Sequence, residues 1–169
     1  IIEDAAPAIG ASFKKIACGN IGEFSAFSFQ GAKLLVTGEG GMLTTNNYQL
    51  YKKALKIADF GRDPKKTFWI NSPGVKFKMS NMQAALGLGQ LNRLNEMIMM
   101  KRTIFSWYEK FLNENNCNLI REPKDSKSIY WMTSIILKKG YNRNRLIKLL
   151  KYHNIDSRPC FPSISSYPI

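Results

Sequence analysis

The 169-residue chain is short of histidine, of acid and of long hydrophobic runs, and each shortage narrows what it can do. With His153 as its single histidine, a histidine metal cluster has no material, and a Ser-His-Asp triad would have to be built around that one imidazole. His153 stands at an expected helix end, where a structural role is the ordinary one. Cys18, Cys117 and Cys160 are odd in number and lack CxxC spacing. They predict neither a disulfide framework nor a zinc site, and read as reduced thiols of a cytoplasmic protein. No apolar run approaches the roughly 18 residues of a membrane span. Ile1-Ile2-Glu3-Asp4 puts acid where an export signal carries base. The glycine cluster Gly38-Glu39-Gly40-Gly41 has no Gly-Lys-Ser/Thr behind it, which excludes a Walker phosphate loop.

What is present is 44% hydrophobic residues, the composition of a globular chain with a buried core, and a net charge of +13 from 25 basic and 12 acidic residues. The lysines are spread along the chain without a block of like charge. A solvated face, or attraction of a small anionic molecule, explains them better than a nucleic-acid arm. A basic nucleic-acid-binding module nevertheless stays open as an alternative on charge alone.

Along the chain, Ile1-Ile2 followed by Glu3-Asp4 reads as the end of a buried strand running into a polar loop. With no initiator methionine, the chain is expected to begin inside a larger protein. Phe24 to Phe29 alternates so that Phe27 and Phe29 share one face and Ser28 points to the other. Gly41 to Thr45 reads as a second strand. Asn46 or Asn47 caps a helix over Leu50, Ala54, Leu55 and Ala58 that Gly61 ends. Residues 60–73 read as a surface loop. Ser80-Asn81-Met82-Gln83 fits a capping box at the head of a long helical pattern that reaches Leu112, with a break. Ile129 to Leu137 reads as β-rich, Arg145 to Tyr152 as helix, and Ile155 to Arg158 as a further strand. A second domain is expected from about residue 96.

Three features could carry chemistry. Asp4 ends a strand, where open α/β sheets place ligand groups. Lys33 follows a strand among small residues, and Gly38 to Gly41 allows close backbone approach to a ligand. Singly each has an ordinary reading: Asp4 as a cap or turn residue, Ser28 as a structural strand serine, Lys33 as a solvated loop residue.

Their order is more specific. Glu3-Asp4-Ala5-Ala6, Gly10, Phe27-Ser28-Phe29 with Lys33, Gly38-Glu39-Gly40-Gly41 and Thr45 resemble the DegT/DnrJ/EryC1/StrS aminotransferases, enzymes of nucleotide-linked keto sugars. The resemblance continues through Gly74-Val75-Lys76-Phe77-Lys78-Met79-Ser80-Asn81-Met82-Gln83-Ala84-Ala85 to Ile155-Asp156-Ser157-Arg158-Pro159. The Gly74 to Ala85 stretch is most similar to members that make perosamine and related amino sugars.

The resemblance implies an α/β fold, a fragment of a fold type I enzyme dependent on pyridoxal phosphate. Residues 1–95 would be the C-terminal part of the large cofactor domain, and 96–169 an incomplete small domain. It implies that Lys33 holds the cofactor's aldehyde and later moves a proton. Asp4 would keep the ring nitrogen protonated, and Ser28 would hydrogen-bond the phosphate. Lys76 stands where many relatives carry an asparagine that reaches the neighbouring subunit's cofactor phosphate, and Arg158 lies in a substrate-proximal segment. Either could instead be ordinary, Lys76 as a solvated lysine and Arg158 as an ion-pair partner. Relatives that dehydrate the sugar replace the lysine by histidine, so Lys33 implies transamination. Pro7 departs from the Gln, Glu or His with which relatives reach the cofactor ring.

The implied parent is a cytoplasmic homodimer with composite active sites, using no metal and engaging neither nucleic acid nor membrane. It takes an amino group from an amino acid, glutamate, and gives it to a nucleotide-linked 4-keto-6-deoxy sugar, for a surface polysaccharide or glycan. Members are more than twice as long as this chain, so the chain alone is expected to be inactive. A split or decayed gene product is the alternative.

Overall fold

The computed structural model describes residues 1–112 and 114–168. In chain order its elements are β1 (Ile2–Asp4), β2 (Ser12–Phe13), β3 (Ile16–Ala17), β4 (Phe24–Ser28), β5 (Gly41–Thr44), α1 (Tyr48–Ala58), α2 (Asn81–Leu91), α3 (Leu94–Phe111), β6 (Cys117–Leu119), β7 (Ser126–Lys127), β8 (Ile135–Leu137) and α4 (Arg143–Tyr152), with a 3-10 turn at Ile164–Ser166. No helix among the described residues is long and apolar enough to cross a membrane.

The chain forms two compact units. The first holds Ile1–Thr103 and Glu122–Trp131, the second Ile104–Arg121 and Met132–Ile169. The change of unit at 103/104 falls inside α3, and residues 122–131 return to the first unit.

In the first unit, β1 lies parallel to β4, and β5 runs antiparallel on β4's other edge. A second small sheet has the order β3-β2-β7, both pairings antiparallel. The core of this unit gathers Leu34, Ile98 and Ile129, with Ile9, Ala11, Leu94, Met97 and Trp131 packed around them. The helices start where side chains satisfy their free amides. Asn47 caps α1 by accepting from the Gln49 and Leu50 N–H groups at 2.9 and 3.2 Å. Ser80 and Gln83 form the reciprocal capping box at the head of α2. The long helical pattern is interrupted at Asn92-Arg93, giving α2 and α3. Beyond α1, Gly61 takes a positive φ of 67° and its N–H returns to the Lys56 carbonyl.

In the second unit, β6 and β8 pair antiparallel, Cys117 opposite Leu137, and Cys117 is buried. Asn142 caps α4 through the Arg145 N–H, and His153 is its C-terminal cap.

Three expectations need correction. Ile1 and Ile2 are 82% and 76% exposed rather than in a buried strand, because β1 pairs only with β4 and no described element covers those side chains. Of the run from Ile129 to Leu137 only β8 is strand: Tyr130 takes a φ of +48° and its N–H turns back to the Ser128 hydroxyl. Ile155 to Arg158 forms no strand. The Ile155 N–H is taken by the Leu150 carbonyl in the closing turn of α4, after Asn154 at φ +59°.

Candidate active site

The register of β1 on β4 sorts the polar residues of this edge onto two faces. Glu3 pairs with Ser25 and Asp4 with Ala26. Glu3 points to the Ser25 side, where its carboxylate accepts from the Ser25 hydroxyl at 2.7 Å and from the N–H groups of Gly19, Ile21 and Gly22 at 2.7 to 2.9 Å. These donors hold its pKa down at about 2. Successive residues alternate across a strand, so Asp4, Ala26 and Ser28 share the opposite face. Asp4 and Ser28 thus stand together at the C-terminal edge of two parallel strands, where α/β folds bind ligands.

Lys33 comes from the loop that leaves β4 at Ser28. That loop is closed at its base: the Phe29 N–H donates to the Gly40 carbonyl, and the Thr37 N–H donates to the Phe29 carbonyl. Leu34 and Leu35, directly after the lysine, are buried, so the apolar side of the loop is anchored in the core. Lys33 itself is half-buried.

One face of α2 holds the loop, through residues four and then three positions apart. Gln83 donates to the Glu39 carbonyl at 2.9 Å. Gly87 allows the close approach, since a Cβ there would press on the Thr37 methyl group at 3.1 Å. Gln90 both accepts from the Val36 N–H and donates to the Val36 carbonyl. From the return segment 122–131, Trp131 donates its indole N–H to the Ala32 carbonyl at 2.7 Å.

The residues singled out from sequence are therefore placed as follows. Asp4 and Ser28 share a face and an edge, and Lys33 lies five residues beyond Ser28 in the braced loop. Among the described residues Asp4 accepts only the nearby Ala6 N–H, at 3.1 Å. The Ser28 oxygen accepts a long contact from Gln30 N–H at 3.4 Å, and its hydroxyl donates to no group among the described residues. Neither Asp4 nor Lys33 is in an ion pair among the described residues. Pro7 lies in a turn closed by the Ala8 N–H on the Ala5 carbonyl. Lys76 is exposed in a segment bridged to Asp59 at the end of α1, and among the described residues no hydrogen bond joins it to the other three. Arg158, in the second unit, faces Asp156 across 3.5 Å, both side chains being 83% exposed. No cluster of metal-ligating side chains occurs among the described residues.

The whole chain, residues 1–169, matches the model of the DegT/DnrJ/EryC1/StrS aminotransferase family. The chain belongs to this family. It is 36% identical to the GDP-perosamine synthase of Caulobacter vibrioides, over 99% of this chain and 46% of that protein. It is also 36% identical to the GDP-perosamine synthase of Escherichia coli O157:H7, over 100% of this chain and 46% of that one. A DegT DnrJ EryC1 StrS aminotransferase from Brucella abortus has the same fold, with a TM-score of 0.83 at 27% identity over 92% of this chain and 41% of its own. The chain thus spans under half the length of the curated relatives it matches.

Aminotransferases of the DegT/DnrJ/EryC1/StrS family depend on pyridoxal phosphate. The donor set at the β1–β4 edge fits that group. The Asp4 carboxylate and the Ser28 hydroxyl stand at that edge and the Lys33 amine is in the loop leaving it; among the described residues the amine and the carboxylate are in no ion pair and the hydroxyl donates to no acceptor. The backbone beside them leaves room, since a Cβ on Gly38 would meet nothing within 4 Å. Trp131 and Gln90, which brace the lysine loop, were not legible as site residues. They lie 99 and 54 positions from their partners, and no local pattern marks them.

Proposed function

We propose that the full-length protein transfers an amino group, with glutamate as donor, to a nucleotide-linked 4-keto-6-deoxy sugar, making an amino sugar for a surface polysaccharide or glycan. The family membership and the relatives named GDP-perosamine synthase support the sugar class. The observation that supports the reading is the braced loop carrying Lys33, which leaves β4 at the edge where Asp4 and Ser28 share one face.

Pyridoxal phosphate, when bound, supplies an aldehyde that carries the amino group and a ring that takes up electrons. Lys33 would hold it through its amine and, once displaced, move a proton to or from the reacting carbon. The Asp4 carboxylate would keep a proton on the ring nitrogen by Coulombic attraction. The Ser28 hydroxyl would donate to a phosphate oxygen, and Lys76 would add a point charge to phosphate in a neighbouring copy. Arg158 would meet the substrate. In this reading the protein works in the cytoplasm as a homodimer whose sites draw on both copies.

The test is borohydride reduction of the full-length protein loaded with pyridoxal phosphate, followed by peptide mapping. The cofactor adduct is expected on Lys33, and Lys33→Ala is expected to lose transamination while keeping its fold. An adduct on another residue, or full activity in that variant, overturns the proposal.

A further inference from the structure

We propose that Trp131 is a positioning residue for Lys33, fixing the backbone that carries the lysine and resting its ammonium on the indole face; this deepens, and rests on, the role proposed for Lys33.

Three consecutive residues of the loop meet the tryptophan or its packing partners. The Ala32 carbonyl accepts the indole N–H at 2.7 Å. The Lys33 Nζ lies 4.4 Å from the ring centroid, well within the roughly 6 Å over which a ring face attracts a cation. Leu34 is buried against Ile98 and Ile129, the cluster on which Trp131 also packs. A residue that only filled the core would contribute to the last of these alone.

Trp131 is itself held in place. The Lys101 ammonium donates to its carbonyl at 3.0 Å. The segment before it is tied to α3 by the two-pronged Arg102–Glu122 pair, whose Glu122 also accepts from the Ser128 N–H at 2.7 Å. The indole therefore acts as a rigid support rather than a passing contact.

The chemistry suits a ring better than a carboxylate. An amine that must attack a carbonyl has to give up its proton and its counter-group. A carboxylate holds the proton strongly, whereas a ring face orients the cation weakly and releases it. Among the described residues Lys33 has the ring and no carboxylate partner.

The test is limited reductive methylation of the cofactor-free full-length protein, with the rate at Lys33 taken relative to the exposed Lys53 in the same digest. Trp131→Leu is expected to raise that ratio about two- to fivefold. Trp131→Phe keeps a ring face, so its ratio should stay within about twofold of the natural chain. The loss of the indole N–H in that variant should speed amide exchange at Lys33. A pure space-filling role predicts the same ratio for Leu and Phe, and that result overturns the proposal. If Trp131→Leu fails to fold, the Phe variant decides: unchanged amide exchange at Lys33 overturns it. These measurements need no cofactor, so their failure is distinct from a borohydride adduct that maps away from Lys33.

Discussion

Gln90 closes a two-bond ring with the backbone of Val36: its Oε1 accepts the Val36 N–H at 2.9 Å, and its Nε2 donates to the Val36 carbonyl at 2.6 Å. The amide thus imitates a strand neighbour for a loop that has none, three residues from Lys33. Without it, two backbone groups of a partly buried loop lose their partners.

Gln90→Leu removes both bonds while leaving the helix intact. The expected loss is about 1–3 kcal/mol of unfolding free energy, mostly from the unsatisfied backbone groups. Urea unfolding of the full-length protein measures it. Amide exchange should speed at Val36 more than at the α1 amides.

Glu3 predicts a pH dependence. Its folded pKa of about 2 lies below the ordinary 4.5, chiefly because of the Gly19 N–H and then the Ser25 hydroxyl and the Gly22 N–H. A depressed carboxylate contributes stability that is fully present above the unfolded value and is lost as pH falls through the folded one. Stability should therefore decline between about pH 4.5 and 2. In Glu3→Gln this part of the decline should disappear, at lower stability near neutral pH. Thermal unfolding across that range separates the two proteins, and an unchanged slope in the variant contradicts the assignment.

Arg102 and Glu122 hold the return segment to α3. Both guanidinium prongs bind the carboxylate at 2.9 Å, and the Glu122 pKa is lowered, first by Arg102. Their side chains are 29% and 26% exposed, so the pair is only partly screened. Arg102→Lys keeps the charge and loses the fork, with an expected cost of about 1 kcal/mol. Arg102→Ala should cost more, because Glu122 is left half-buried without its partner. Denaturant midpoints of the two variants give the order, and a Lys variant as unstable as the Ala variant would refute it.

Two glycines should respond in opposite directions to alanine. Gly61 sits at φ +67°, and an added Cβ would overlap the Ser72 carbonyl oxygen, so Gly61→Ala should destabilise by about 2 kcal/mol or more. Gly89 lies inside α2, and a Cβ there would meet nothing within 4 Å. Gly89→Ala should stabilise by roughly 0.5–1 kcal/mol. Melting temperatures falling for the first and rising for the second are the expected result.

Features that depend on near neighbours were readable along the chain. The Ser80–Gln83 box, the Asn47 and Asn142 caps and the β4 alternation were legible because capping and strand periodicity act within a few residues. The family, too, was legible, from ordered motifs spanning Asp4 to Pro159. Local rules failed where a neighbour was absent or a turn intervened, as at Ile1-Ile2, Tyr130 and Ile155. That Asp4 and Ser28 share a face emerged with the fold, since it follows from the Glu3–Ser25 register between strands 22 residues apart. The fold alone brought Gln90 and Trp131 to the lysine loop. Long-range hydrogen bonds and ring contacts have no periodicity, so nothing in the chain's local pattern announces them until the core has placed the partners together.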